Sequence, residues 1–223
     1  MQRLLVLGLA ALLSVALGSP AWAVTFGFEN ITNNNATDAA IGEAQLFVDV
    51  TQGPGANQVL FTFSNTGPAA SSITDVYFDD GTLLGIAEVI NGPGVNFSQG
   101  ASPPNLPGAN NASPPFQTTA GFLADSDPPT QPNGVNPGES LGILFTLQGG
   151  QTLADTLNAI ADGSLRIGIH VQGFASGGSE SFVNTPNGNG NGGVIPEPSS
   201  LAIAGLGLLG LALKARRKKR AGA

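Results

Sequence analysis

The chain is 223 residues long and contains no cysteine, which excludes disulfides, thiolate nucleophiles and cysteine-ligated zinc or iron–sulfur sites. Its eight bases are Arg3, Arg166 and six crowded into the last ten positions, so residues 24–197 set one base against fifteen acids, a formal charge of −14. Such a body excludes nucleic acid as a partner, because phosphate binding needs clustered Lys and Arg. Scarce Lys and Glu beside abundant Gly, Asn, Ser, Thr and Pro argue against a helical protein.

Residues 1–23 have the layout of a secretory signal peptide. Arg3 supplies the n-region charge, Leu4 to Leu17 form an apolar run, Gly18-Ser19-Pro20 breaks it, and Ala21-Trp22-Ala23 is the small-x-small pattern that signal peptidase cuts. An N-terminal membrane anchor is the weaker reading, because the run is short and the cleavage pattern follows at once.

The body, 24–183, reads as strands. Val24–Phe28 is a candidate first strand. Gln45–Val50 puts Leu46, Val48 and Val50 on one face, and Val59–Ser64 does the same with Val59, Phe61 and Phe63. Ile73–Phe78 and Leu83–Ile90 follow. Leu141–Leu147 aligns Leu141, Ile143, Phe145 and Leu147. Leu165–Val171 aligns Leu165, Ile167, Ile169 and Val171 against Arg166, Gly168, His170 and Gln172, and Ser179–Asn184 is a candidate last strand. One helix is predicted: Thr152 and Asp155 form a capping box with Asp in the Glu position, Leu153, Leu157 and Ile160 share a face, and Gly163 ends it. Gly92–Gly138 is a proline-rich stretch too long for a plain loop, with Thr118–Leu123 its best hidden strand. The pattern predicts a mostly β fold, an antiparallel two-layer β-sandwich of jelly-roll or immunoglobulin-like type with one short helix. Ser64–Gly67 and Asn136–Ser140 resemble turns of exported sandwiches.

No catalytic set stands out, and the expectation is that the protein is not an enzyme. His170 is the single histidine and lies mid-strand on a polar face, where a solvated role outweighs that of a general base. Neither a phosphate loop nor His-Glu-x-x-His occurs. Paired carboxylates of a glycosidase are compatible with the composition, but Tyr77 is the only tyrosine and Trp22 leaves with the signal, so a sugar-stacking cleft lacks its rings. Asp75, Asp79 and Asp80, with Asp125 and Asp127, are hard oxygen ligands on strand ends and loops, a pattern suited to calcium; the competing reading is turn formation and solubility. Arg166, the body's only base, is expected to pair with an acid on a neighbouring strand. Asn30, Asn35, Asn96 and Asn111 open Asn-x-Ser/Thr triplets, taken as chance in so polar a chain.

Residues 184–194 form a Gly/Asn-rich linker without apolar periodicity. The tail, 195–220, holds Pro196-Glu197-Pro198, an apolar helix at 199–213, and the cluster Lys214, Arg216, Arg217, Lys218, Lys219 and Arg220. Fifteen helical residues span about 22 Å, a short membrane crossing that snorkelling of Lys214 and Arg216 extends. The bases stay on the cytoplasmic side, leaving the body outside.

This order of features at the extreme C-terminus resembles the PEP-CTERM sorting signal, and a GPI-type signal lacks both the Pro-Glu-Pro and the terminal bases. The resemblance implies an exosortase-like membrane protease as partner, a cut near the Pro-Glu-Pro, and release or reattachment of the body at the cell surface or matrix. It implies nothing about the body. The reading is therefore an exported bacterial envelope or extracellular-matrix protein, structural or adhesive. The alternative is a calcium- or polysaccharide-binding surface module, which would bring exopolysaccharide as a partner; a secreted hydrolase is third.

Overall fold

The computed structural model describes residues 23–80, 84–119 and 123–186. Ten strands, β1 Ala23–Asn30, β2 Leu46–Gln52, β3 Gln58–Asn65, β4 Ser72–Asp79, β5 Leu84–Asn91, β6 Phe97–Gln99, β7 Leu123–Ser126, β8 Ser140–Leu147, β9 Arg166–Gln172 and β10 Glu180–Asn184, make one antiparallel sheet in the order β5-β8-β3-β2-β1-β10-β9-β4-β7-β6. The expected pair of separate sheets is thus replaced by a single sheet curled on itself and nearly closed. β1 is the reason. Its residues Ala23 to Gly27 pair with β2, and Phe28 to Asn30 pair with β10. Gly27 is the corner, and its carbonyl accepts the Thr185 amide just beyond β10. On the far side the seam between β5 and β6 is bridged by the Asn91 side chain, which donates to the Phe97 carbonyl and accepts the Phe97 amide at 2.8 Å.

The period-2 faces behave as read. Leu46, Val48, Val50, Val59, Phe61, Phe63, Leu141, Ile143, Phe145, Leu165, Ile167, Ile169 and Val171 are all sealed in one core. β4 departs from strict alternation. Its register with β9 shifts between Ile73 and Asp75, leaving Thr74 as an extra residue. That bulge lets Ile73, Val76 and Phe78 all face the core, while Asp75 and Tyr77 face outward.

Three helices are present among the described residues, where one was predicted. The predicted one is α3 in chain order, Leu153–Asp162, with the Thr152–Asp155 capping box formed and Gly163 left-handed at φ 78°. α2 is a single turn, Thr130–Asn133. α1, Ala36–Gln45, was missed because it lacks an apolar stripe. It docks instead through Gly42, where a Cβ would stand 2.2 Å from the ring of Phe182 on β10. Asn35 caps it, accepting from the amides of Thr37 and Asp38.

The stretch 92–138 is not a plain loop. It holds β6, β7, α2 and a 3₁₀ turn at Ala109–Asn111. The short strands fall at 97–99 and 123–126; of the expected strand Thr118–Leu123, Leu123 opens β7 and residues 120–122 lie outside the described residues. No helix among the described residues is long and apolar enough to cross a membrane; the predicted tail helix 199–213 and the signal segment before Trp22 lie outside them.

Candidate functional site

The outer face of β7, β4, β9 and β10 carries a polar row. Register pairs Asp125 with Asp75, Asp75 with His170, and His170 with Ser181. The bulge at Thr74 is what turns Asp75 into this row. Asp75 is 3 % exposed; its Oδ2 lies 3.1 Å from His170 Nδ1 and accepts the Thr74 hydroxyl at 2.8 Å. The Tyr77 hydroxyl donates to the Pro103 carbonyl at 3.1 Å and lies 3.4 Å from Asp75 Oδ1. Burial, then the charges of Asp75 and Asp125, push the Tyr77 hydroxyl far above its ordinary value, so it stays a donor. Burial and the Asp75 carboxylate likewise raise Asp125, against the lowering influence of the Ser102 amide.

A lid covers this face. Leu106 and Phe116 pack on Tyr77 and Val183 as a second apolar cluster. Gly168 makes room for them, since a Cβ there would lie 2.8 Å from Leu106 Cδ2 and 3.0 Å from Phe116 Cζ. Arg166 pins the lid. It pairs with Asp79 on β4, the cross-strand acid expected for it, and donates to the carbonyls of Pro114 and Pro115. Its guanidinium also sits 5.4 Å from the Phe116 ring centroid.

The row resembles a Ser-His-Asp relay in composition only. Ser181 Oγ is fully buried and has no hydrogen-bond partner among the described residues, so the hydroxyl-to-imidazole contact of that machinery is not made.

The five aspartates read as calcium candidates are dispersed. Asp75 and Asp125 meet in the row and Asp79 is held by Arg166. Asp127 accepts Asn96 Nδ2 and Ser98 Oγ, both at 3.1 Å, and the Asp80 amide donates to Thr119. Among the described residues no three His, Asp or Glu side chains gather in a way that could hold a metal ion.

The Asp75–Asp125 pair sets like charges directly opposite on neighbouring strands. Asp125→Asn is therefore expected to stabilise the fold at pH 7 by about 0.2–1 kcal/mol after solvent screening, read as a raised melting temperature. The sign with pH follows from the raised value. The folded protein holds this proton more tightly than the unfolded chain, so the contribution is present below the ordinary value of 3.8 and lost as pH rises through the raised folded value. The advantage of the variant should vanish near pH 3. A variant no more stable than the parent at pH 7 would remove the repulsion argument.

Sequence reasoning missed a groove of about 520 Å³ beside Arg166. It is lined by Glu29, Ile31, Val183 and Asn184 of the β1 and β10 segments, by Asn111 to Pro114, and by Ile160, Asp162 and Gly163 at the end of α3. These residues come from four separate segments, so no local pattern announces them. Pro186, the last described residue, stands at the rim.

Of the predicted processing residues, Ala23 is the first residue of β1, paired with Thr51, whereas Ala21, Pro196, Glu197, Pro198 and the basic cluster from Lys214 to Arg220 lie outside the described residues. Of the predicted linker 184–194, Asn184 belongs to β10, with Oδ1 accepting the Ile167 amide, and the Thr185 amide donates to Gly27, whereas residues 187–194 lie outside the described residues. No curated protein and no solved structure matches the chain. The tail is matched: residues 194–218, which contain Pro196-Glu197-Pro198, the apolar run and part of the basic cluster, fit the family model of the PEP-CTERM protein-sorting motif, and this segment of the chain is a PEP-CTERM sorting signal.

Proposed function

We propose that the protein is exported through its signal peptide, sorted by an exosortase-like protease at the PEP-CTERM tail, and displayed as a non-enzymatic structural or adhesive domain of the bacterial envelope or extracellular matrix. The carrying observation is the sorting motif at 194–218. The acidic, cysteine-free body supports it as a displayed unit that is stabilised without disulfides. Nine residues, 187 to 195, separate the last described residue from the Pro196-Glu197-Pro198 motif in the sequence.

Expression of the full chain with and without its exosortase tests this. Intact mass of the product in each cell fraction should show loss of residues 1–23 in both hosts. A new C-terminus near Glu197 should appear only with the protease, and Pro196→Ala with Glu197→Ala should abolish it. An uncut tail in the membrane fraction of both hosts would overturn the sorting mechanism and leave a simple C-terminal anchor.

A further inference from the structure

We infer that the groove between the 3₁₀ turn at Ala109–Asn111, the end of α3 and the β1–β10 face binds a neutral, hydroxyl-rich glycan chain. This goes beyond the sorting reading and stands independently of how the tail is processed. Arg166 links it to Asp79, but none of Asp75, Asp79, Asp80, Asp125 and Asp127 is among its lining residues.

Charge narrows the ligand first. Among the described residues Arg166 is the only base lining the groove, and its guanidinium is already shared among Asp79 and the carbonyls of Pro114 and Pro115. Glu29 is exposed and its carboxylate has no side-chain partner among the described residues. Asp162 is held below the usual carboxylate range by the hydroxyl and amide of Ser164, so it is ionised throughout the neutral range. With a formal charge of −13 on the body, 24–183, behind these two carboxylates, phosphate, sulfate and uronate ligands are repelled.

Shape and hydrogen-bonding capacity narrow it further. About 520 Å³ is the size of a ligand site rather than a packing void. Glu29, Asn111 and Asp162 are planar polar groups arranged around an open channel, and Asn184, which also lines it, is fixed by the Ile167 amide. Planar carboxylates and amides suit vicinal hydroxyls, each of which both donates and accepts. Between them, Ile31, Val183, Pro114 and Pro186 offer aliphatic surface for the C–H faces of sugar rings. A metal ion is a poorer occupant, because among the described residues no third carboxylate or imidazole joins Glu29 and Asp162.

The test is calorimetric titration of the full-length exported protein with neutral hexasaccharides of glucose, galactose and mannose. Oligogalacturonate and a Lys/Arg-rich hexapeptide serve as charged comparators. At least one neutral hexasaccharide should bind with Kd below about 1 mM, and oligogalacturonate at least about tenfold more weakly. That affinity should hardly change at about 0.5 M salt. Asn111→Ala should weaken binding about three- to tenfold, and Ser113→Trp, which fills the channel from an exposed rim position, should abolish it. Both variants should keep the parent melting temperature, which separates loss of the site from loss of the fold. The inference fails if no neutral glycan binds below about 10 mM, if binding survives Ser113→Trp, or if only the basic peptide binds. None of these outcomes affects the C-terminal cut, so failure here and failure of sorting are read separately.

Discussion

Replacing Phe78 by Ala is expected to cost about 3–5 kcal/mol, a large part of the stability of a domain this size. Phe78 is 1 % exposed and stands where the two halves of the curled sheet meet. It comes from β4, and its ring makes edge-to-face contacts with Phe61 on β3 at 5.3 Å, Phe63 at 6.3 Å and Phe145 on β8 at 4.9 Å. Each such contact adds about 0.5–1.5 kcal/mol beyond area burial. The hole left by truncation is lined by rings already held by their own strands, so it closes poorly. Phe78→Leu, which keeps most of the volume, should lose less than half as much. Urea denaturation followed by circular dichroism at pH 7 measures both. A loss under about 1 kcal/mol for the alanine variant would mean that the halves are not held by this cluster.

Glu180→Gln is expected to destabilise by about 2–4 kcal/mol at pH 7. Glu180 lies on β10 and is 1 % exposed. Its Oε2 accepts Asn30 Nδ2 at 3.0 Å, the Thr32 hydroxyl and the Asn34 amide at 3.2 Å, and its Oε1 accepts the Asn35 amide at 2.6 Å. Two of these donors are backbone amides leading into α1, where a negative charge also suits the helix N-terminus. Gln has only one acceptor oxygen, so at least one donor would face an NH₂ group. Burial pushes this carboxyl up, but the bonds from Thr32, Asn30, Asn35 and Asn34 outweigh it and hold it below its ordinary value. Because the folded value is depressed, the stabilisation is present above the ordinary 4.5 and lost as pH falls through the folded value. The gap between parent and variant should therefore narrow in acid. A gap constant from pH 7 to pH 3 would show that the charge is not what holds the loop.

The two variants mark what was legible in the sequence and what was not. Phe78's burial follows from a β-branched and aromatic run, and the long strands β2, β3, β8 and β9 follow from alternation, because a half-buried strand writes its face at every second position. Alternation says nothing about which strands adjoin. The sharing of β1 between halves, which turns an expected sandwich into a single sheet, depends on Gly27 at a corner. The Thr74 bulge breaks the very period used to read β4. Glu180 looked like one acid among fifteen; its donors lie about 150 positions earlier in the chain. Asp75 and Asp125 were picked as acids of interest, and the structure does bring them together, yet as opposed charges beneath a lid rather than as part of a three-ligand set. The groove drew on four segments and left no trace in any one of them. The tail was the most legible part, since its signal is a linear order of features.

The place of β10 has a mechanical consequence. The chain departs from its end, and β10 is flanked on both sides, by β1 and by β9. Tension arriving through the C-terminal segment therefore runs along an interior strand and must shear two ladders together, where an edge strand would peel one bond at a time. The Thr185–Gly27 bond is the first rung to feel that load, and Phe182, locked against Gly42 of α1, is the wedge behind it. A domain hung by this strand resists being drawn out along its own tether.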